Sequence, residues 1–183
     1  DEVVDRLATF RMPPGRFTLI DGVAGSYIFD SSYNASPRAV ASVLEMWSEV
    51  VSAASAGVAG VSIARRIFVL GTMNELGATS EQSHRDVAKL LKGRVDMLMT
   101  VGDGARWGAD EVRAQHILPP DAVLDFSDAV TAAEFLASFI RAGDVVLVKG
   151  SQNRVRLERL VKRLMAHPRE AAALLARQDW ADI

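Results

Sequence analysis

Apolar residues recur along this chain with two different periods, and their alternation predicts its architecture. Val3, Val4, Leu7 and Phe10 keep helical spacing until Met12-Pro13-Pro14-Gly15 interrupts them, which predicts a linker helix and hinge over residues 1–15. Residues 16–20 and 26–29 are short β-prone runs around Asp21-Gly22-Val23-Ala24-Gly25, a hairpin-like opening. Ser36-Pro37 marks a helix start, because serine accepts from a free N–H and proline suits the first helical position. Val40, Val43, Leu44, Trp47, Val50 and Val51 then form one apolar stripe, closed by Gly57 and Gly60. Residues 66–70 become continuously apolar after a charged start, the pattern of a strand buried on both faces. Thr79 and Gln82 have capping-box spacing and predict a helix through Leu91. A strand over 95–101 follows, then a glycine-opened turn and helix over 102–113, then a short strand over 122–126. Ser127 or Asp128 caps a helix to Ile140, and Gly143-Asp144 turns the chain into the strongest buried strand, 145–148. Leu157, Leu160, Val161 and Leu164 mark the next helix; His167-Pro168 ends it, and a last Ala/Leu-rich helix runs towards Arg177.

Strands alternating with helices in this way indicate βαβ units. The expected fold is α/β: a Rossmann-like, mostly parallel sheet with helices on both faces, over residues 16–183.

Composition narrows the function. The 183 residues carry a net charge of −2 and are 49% apolar and 24% charged, as in a folded globular chain. There is no cysteine, which excludes a disulfide framework, a thiol nucleophile and a thiolate metal site. A charge this close to zero argues against a non-specific nucleic-acid partner. The most apolar stretch, residues 50–64, is broken by serines and glycines and falls short of the ~20 apolar residues of a membrane span. The chain starts Asp1-Glu2 where a signal peptide would be basic, so the expected location is cytoplasmic. It begins without Met and within a helical pattern, and the expectation is a piece of a longer protein.

Open parallel sheets bind ligands beyond the carboxyl ends of their strands. The segments there are residues 30–36, 71–77, 102–104, 127–128 and 149–151, several of them glycine-rich or small and polar. Gly102-x-Gly104 lacks the third glycine of a dinucleotide fingerprint and reads as a tight turn. Lys149, directly after the strongest strand, places a positive charge where a phosphate or carboxylate would sit. His84, His116 and His167 form no constellation, and the run Arg154, Arg156, Arg159, Lys162, Arg163 reads as a solvated helix face. The sequence holds no H-E-x-x-H, no G-x-S-x-G and no G-x-x-x-x-G-K-[ST]. No catalytic residue and no metal ligand is therefore assigned to this chain, and any ATP phosphates would have to be cradled by another domain.

Taken together, the turn segments resemble a family. Ser32-Tyr33-Asn34-Ala35, between a strand and a helix, resembles the D-D-S-Y-N-A-N-P motif of Mur ligases. Gly71-Thr72-Met73-Asn74-Glu75-Leu76-Gly77 is similar to their G-D-M-x-E-L-G, with Ser80 and His84 following as in the family. Val146-Leu147-Val148-Lys149-Gly150-Ser151 resembles V-L-V-K-G-S-R, and Pro14-Gly15-Arg16 the P-G-R that opens the last domain. The resemblance is to the C-terminal, Rossmann-like domain, in the branch that joins D-Ala-D-Ala to UDP-N-acetylmuramoyl-tripeptide in peptidoglycan precursor synthesis.

What the resemblance implies is an ATP- and Mg2+-dependent ligase. The nucleotide is held mainly by a central domain that, with the N-terminal domain, would be this chain's partner. The C-terminal domain closes on the central one. By motif position, Arg16, Asp30, Ser31, Tyr33 and Asn34 would face the nucleotide, and Asn34, Asn74, Glu75, Lys149 and Ser151 the incoming substrate. Ser31 stands where the family has its second acid, Thr72 replaces the aspartate of G-D-M, Ser36 replaces an asparagine and Gln152 an arginine. These departures leave two other readings open: a ligase with another amino-acid acceptor, and a non-catalytic nucleotide- or peptide-binding domain with a scaffolding or regulatory role.

Overall fold

The computed structural model describes residues 13–56 and 62–176. The predicted linker helix up to residue 12, Gly57, Gly60 and Trp180 lie outside these. The strands are β1 (Thr18–Asp21), β2 (Tyr27–Ser31), β3 (Arg65–Gly71), β4 (Met97–Val101), β5 (Val123–Phe126) and β6 (Asp144–Lys149). They form one sheet in the order β1-β2-β6-β3-β4-β5. Only the β1–β2 pair is antiparallel, the predicted hairpin; β2, β6, β3, β4 and β5 run parallel. The helices are α1 (Pro37–Ser55), α2 (Ser80–Lys89), α3 (Asp103–Ala114), α4 (Ala129–Phe139), α5 (Glu158–Leu164) and the short α6 (Ala171–Leu174).

The period-two alternation of the strands feeds two cores. Phe29, Phe68, Leu70, Val145 and Leu147 face α1, α2 and α3, with Val40, Leu44, Trp47, Val87 and Ala109 packed over them. Ile28, Ile67, Val69, Val146 and Val148 face the other way, under Ala132, Leu136, Leu160 and Leu164 of α4 and α5. β6 inserts between β2 and β3, yet α5 leaves it on the opposite face from α1 and α2. The helices that follow β2 and β3 therefore part from the helix that follows β6. That divergence is the topological switch point at which open sheets leave a crevice.

Local signals behaved unevenly. Ser36 caps α1 as expected, accepting from the Ala39 N–H at 3.3 Å with Pro37 behind it. Asp128, not Ser127, caps α4, accepting from the N–H groups of Val130 and Thr131 at 2.9 Å. The capping box at Thr79 and Gln82 does not form. The Thr79 hydroxyl donates back to the Leu76 carbonyl and the Gln82 amide to Asp86, so this helix starts from a 3-10 turn. Val50 leaves the apolar stripe: it is 41% exposed, because the other stripe residues of α1 already cover the sheet. β1 starts at Thr18 rather than at residue 16, since Phe17 adopts φ +64°. The last helix is a single turn, not a run to Arg177.

Trp47 is fully buried at the centre of the first core. Trp47→Ala should lower the unfolding free energy by about 3–5 kcal/mol, as loss of a large buried aromatic does. Urea unfolding followed by circular dichroism checks this.

Candidate functional site

At the switch point, the segment leaving β6 meets the loops leaving β2 and β3. The approach is backbone to backbone. A side chain on Gly150 would lie 3.0 Å from Gly71 Cα and 2.6 Å from Leu157 Cδ1, and one on Gly71 would lie 2.9 Å from that same Leu157 atom. Only glycine permits this contact. Lys149 and Ser151, on either side of Gly150, then tie the neighbouring loops.

Lys149 is buried, and its Nζ donates to the carbonyls of Ser31 (3.1 Å) and Asn34. The lysine expected to project a free charge is thus committed to holding the β2–α1 loop. Ser151 is also buried. Its hydroxyl donates to the Ala35 carbonyl (3.3 Å) and accepts from the Asn74 N–H (2.9 Å), while its own N–H donates to the Thr72 carbonyl (3.1 Å). One serine joins the loops after β2, β3 and β6. The Asn74 side-chain amide donates to the Asn153 carbonyl at 2.9 Å, a further bond between the β3 and β6 loops.

Two cavities flank this junction. The larger, about 390 Å³, is lined by Arg16, Phe17, Ser31, Tyr33, Asn34 and Lys149 on one side and by the first turns of α1, including Ser36, Ala39 and Met46, on the other. The smaller, about 140 Å³, is lined by Tyr33, Asn34, Asn74, Glu75, Ser151, Gln152 and Asn153. Tyr33 and Asn34 are the wall between them. The structure thus brings Arg16, Ser31, Tyr33 and Asn34 together, and likewise Asn34, Asn74, Glu75 and Ser151. Lys149 lines the larger cavity with Arg16 rather than the smaller one with Asn74 and Glu75.

Asp30 lines neither. It is fully buried on the α5 side of the sheet, where Oδ1 accepts from the Ser32 N–H at 3.0 Å and Oδ2 has no partner. Alternation explains the placement: Ser31 faces the cavity, so its neighbour Asp30 faces away. Asp30 shapes the turn instead of presenting a charge at the edge. Burial pushes its carboxyl pKa up.

The larger cavity suits an anion. The Arg16 guanidinium lies 4.4 Å from the centre of the Tyr33 ring, a cation–π contact at the mouth. Lys149 and the N-terminus of α1, with no acid in its first turn, add positive potential. Burial lowers the Lys149 pKa to about 8, with the nearby Asp30 opposing the shift and Arg16 adding to it. The smaller cavity carries Glu75 and amide side chains, so the two differ in charge.

His84, which the sequence left as structural, is fully buried under the β3–α2 loop and touches neither cavity. His116 and His167 are exposed. The residues of α1 that line the larger cavity were missed. The signal was present, because a helix capped at Ser36 directly after Ser32-Tyr33-Asn34-Ala35 must begin at the same edge. Among the described residues no three His, Asp or Glu side chains converge to hold a metal ion.

Fold and site define a Rossmann-like α/β domain that offers an anion-receiving cavity and a smaller polar one at the switch point of its sheet. Comparison gives the family. The Mur ligase, glutamate ligase domain family matches residues 15–152, and the chain belongs to it. Over 145 residues the chain is 30% identical to UDP-N-acetylmuramoyl-tripeptide–D-alanyl-D-alanine ligase of Mycobacterium bovis, a match covering 72% of this chain and 26% of that one. Among solved structures, a MurF ligase from Thermotoga maritima in complex with ADP is 26% identical with a TM-score of 0.64, covering 92% of this chain and 34% of that one. MurF from Acinetobacter baumannii is 26% identical with a TM-score of 0.66, covering 87% and 32%. The chain spans about a quarter of the length of the curated relatives it matches.

The lowered pKa of Lys149 makes a prediction about stability. Between about 8 and the ordinary 10.5 the folded state holds fewer protons than the unfolded chain, so stability attributable to Lys149 rises with pH through that window. Relative to Lys149→Met, the wild-type chain should gain on the order of 3 kcal/mol from pH 8 to 10.5. Parallel urea titrations of both proteins across that range check the sign.

Proposed function

We propose that this chain is the C-terminal part of an ATP-dependent ligase that joins D-Ala-D-Ala to UDP-N-acetylmuramoyl-tripeptide. The observation that carries this reading is the pairing of a cationic cavity with a separate polar one across the Tyr33–Asn34 wall. A ligase of this kind must manage two ligands of different charge at one edge: a nucleotide and an amine acceptor. The carboxylate of the peptide is activated as an acyl phosphate by ATP, and the acceptor amine attacks it with loss of phosphate.

In this reading Arg16 leaves its rest position on Tyr33 to meet the nucleotide phosphates when the domain closes, since a guanidinium suits phosphate geometry. Tyr33 and Asn34 border the nucleotide, and Ser31 offers a hydroxyl but no charge. Asn74 and Glu75 meet the acceptor, whose ammonium suits the Glu75 carboxylate. Lys149 and Ser151 act mainly by holding the loops. Closure excludes water from the labile acyl phosphate. Mg2+ would be held with the nucleotide by another domain. The chain itself contains no P-loop sequence. No helix among the described residues is long and apolar enough to cross a membrane.

A second reading, a non-catalytic nucleotide- or peptide-binding domain, is favoured by one observation. With Ser31 at the family's acid position and Asp30 buried, the larger cavity has no carboxylate for a ribose.

Phosphate release separates the two. The longer protein carrying this chain should release phosphate from ATP only when both D-Ala-D-Ala and UDP-N-acetylmuramoyl-tripeptide are present, and the 183 residues alone should turn over none. Arg16→Ala should lower kcat/KM for ATP about 100-fold, the size of losing one transition-state charge donor. Phosphate release indifferent to D-Ala-D-Ala would refute the ligase assignment.

A further inference from the structure

The loop after β3 is clamped twice. On one side Ser151 takes the Asn74 N–H. On the other, the ring of His84 reaches up from α2: its Nε2 accepts the Met73 N–H at 2.9 Å, and its Nδ1 lies 2.7 Å from the Ser80 carbonyl. A neutral imidazole with its proton on Nδ1 satisfies both contacts at once, donating to Ser80 and accepting from Met73. An imidazolium cannot, because it has no acceptor.

The surroundings pack closely against the ring. His84 is fully buried, and its ring meets the Trp107 ring edge-on with centroids 5.9 Å apart. A side chain on Gly104 would come within 3.4 Å of His84 Cε1 and 2.6 Å of Thr72 Cγ2, so α3 closes tightly over ring and loop alike. Burial lowers the pKa of the ring, which favours the neutral form that the two contacts require.

Two residues beyond the clamped Met73 amide, Glu75 adopts φ +64°, a left-handed conformation that is costly for a residue with a side chain. Such a conformation persists only where neighbours over-determine it. The bonds nearest to it in the loop are His84–Met73, Ser151–Asn74 and that of the Asn74 side-chain amide to the Asn153 carbonyl.

We infer that His84 is a positioning residue for the acceptor side of the site: through the Met73 amide it sets the direction of Asn74 and Glu75 without touching any ligand. The inference rests on the reading above in which Asn74 and Glu75 meet the acceptor. It separates the two sides of the site. The larger cavity, built from Arg16, Tyr33 and α1, does not meet the His84 ring, so the nucleotide side should be indifferent to His84.

The test has two readouts. The first is amide hydrogen exchange in the 183-residue chain. His84→Ala should speed exchange at Met73 and Asn74 at least tenfold relative to wild type, with core amides of β3 and β6 unchanged. His84→Gln should restore most of the protection, because its amide can also accept from Met73 and donate to Ser80. The second is steady-state kinetics of the longer protein. His84→Ala should raise KM for D-Ala-D-Ala about tenfold while KM for ATP stays within twofold, and His84→Gln should return most of the acceptor affinity. Ser151→Ala, which removes the other bond to the loop, should likewise speed exchange at Asn74 and raise KM for D-Ala-D-Ala, and covers the case in which His84→Ala does not fold; because the Ser151 hydroxyl also holds the Ala35 carbonyl beside the larger cavity, only the acceptor side is read from it. Unchanged exchange at Met73 and Asn74 overturns the positioning role. Faster exchange with an unmoved acceptor KM overturns the assignment of Asn74 and Glu75 to the acceptor, and the inference with it. A parallel rise in both KM values, unrescued by glutamine, shows general loosening and also refutes it.

Discussion

The site depends on one short piece of backbone, Lys149-Gly150-Ser151, emerging from the buried strand β6 between the loops that follow β2 and β3. Lys149 ties down the carbonyls of Ser31 and Asn34, Ser151 bonds to Ala35, Thr72 and Asn74, and Gly150 lets the β3 end approach closely enough for those bonds to form. A charged donor on a carbonyl is worth about 1.5–3 kcal/mol, more than a neutral one. That margin matters at the rim, where Tyr33 and Asn34 are exposed. The stitch turns two surface loops into walls.

The same arrangement stores electrostatic tension. A buried ammonium costs desolvation, and the structure offsets it with carbonyl oxygens and with Asp30 at a distance rather than with a direct ion pair. Asp30 is itself buried with one oxygen unpartnered, and its carboxyl is shifted towards the neutral form. The positive potential of the larger cavity is thus only partly cancelled from within, and an incoming anion finds it available. Elsewhere, buried charge is matched directly: Arg65 donates to both carboxylate oxygens of fully buried Asp144. The contrast between the two ends of β6 is physical. The amino end is closed by a matched ion pair, and the carboxyl end is left unmatched where a ligand is expected.

Topology explains why the junction is at β6 and nowhere else. β6 is the last strand in sequence but sits between β2 and β3, so its exit loop must pass between two loops made much earlier. Helices α1 and α2 depart on one face and α5 on the other, which opens the crevice there. The two cavities then follow from what each loop carries: a helix N-terminus and Arg16 on one side, Asn74 and Glu75 on the other.

By itself the sequence determined the element order, the hairpin, the cap at Ser36, both faces of the sheet and the loops that meet at its carboxyl edge, because these depend on local periodicity, local hydrogen bonding and short motifs; it left Ser127 and Asp128 open as the cap of α4. It placed Trp47 in the core from its spacing alone. It could not show that Thr79 would bond backwards and forfeit its box, since that choice is made between conformations of nearly equal local energy. Nor could it show that Lys149 would be spent on loop carbonyls, that Asp30 would turn inward while Ser31 turned out, or that His84 would reach the Met73 amide. Those outcomes rest on contacts between residues as far apart as Ser31 and Lys149, and only the packing of β6 between β2 and β3 brings them within bonding distance.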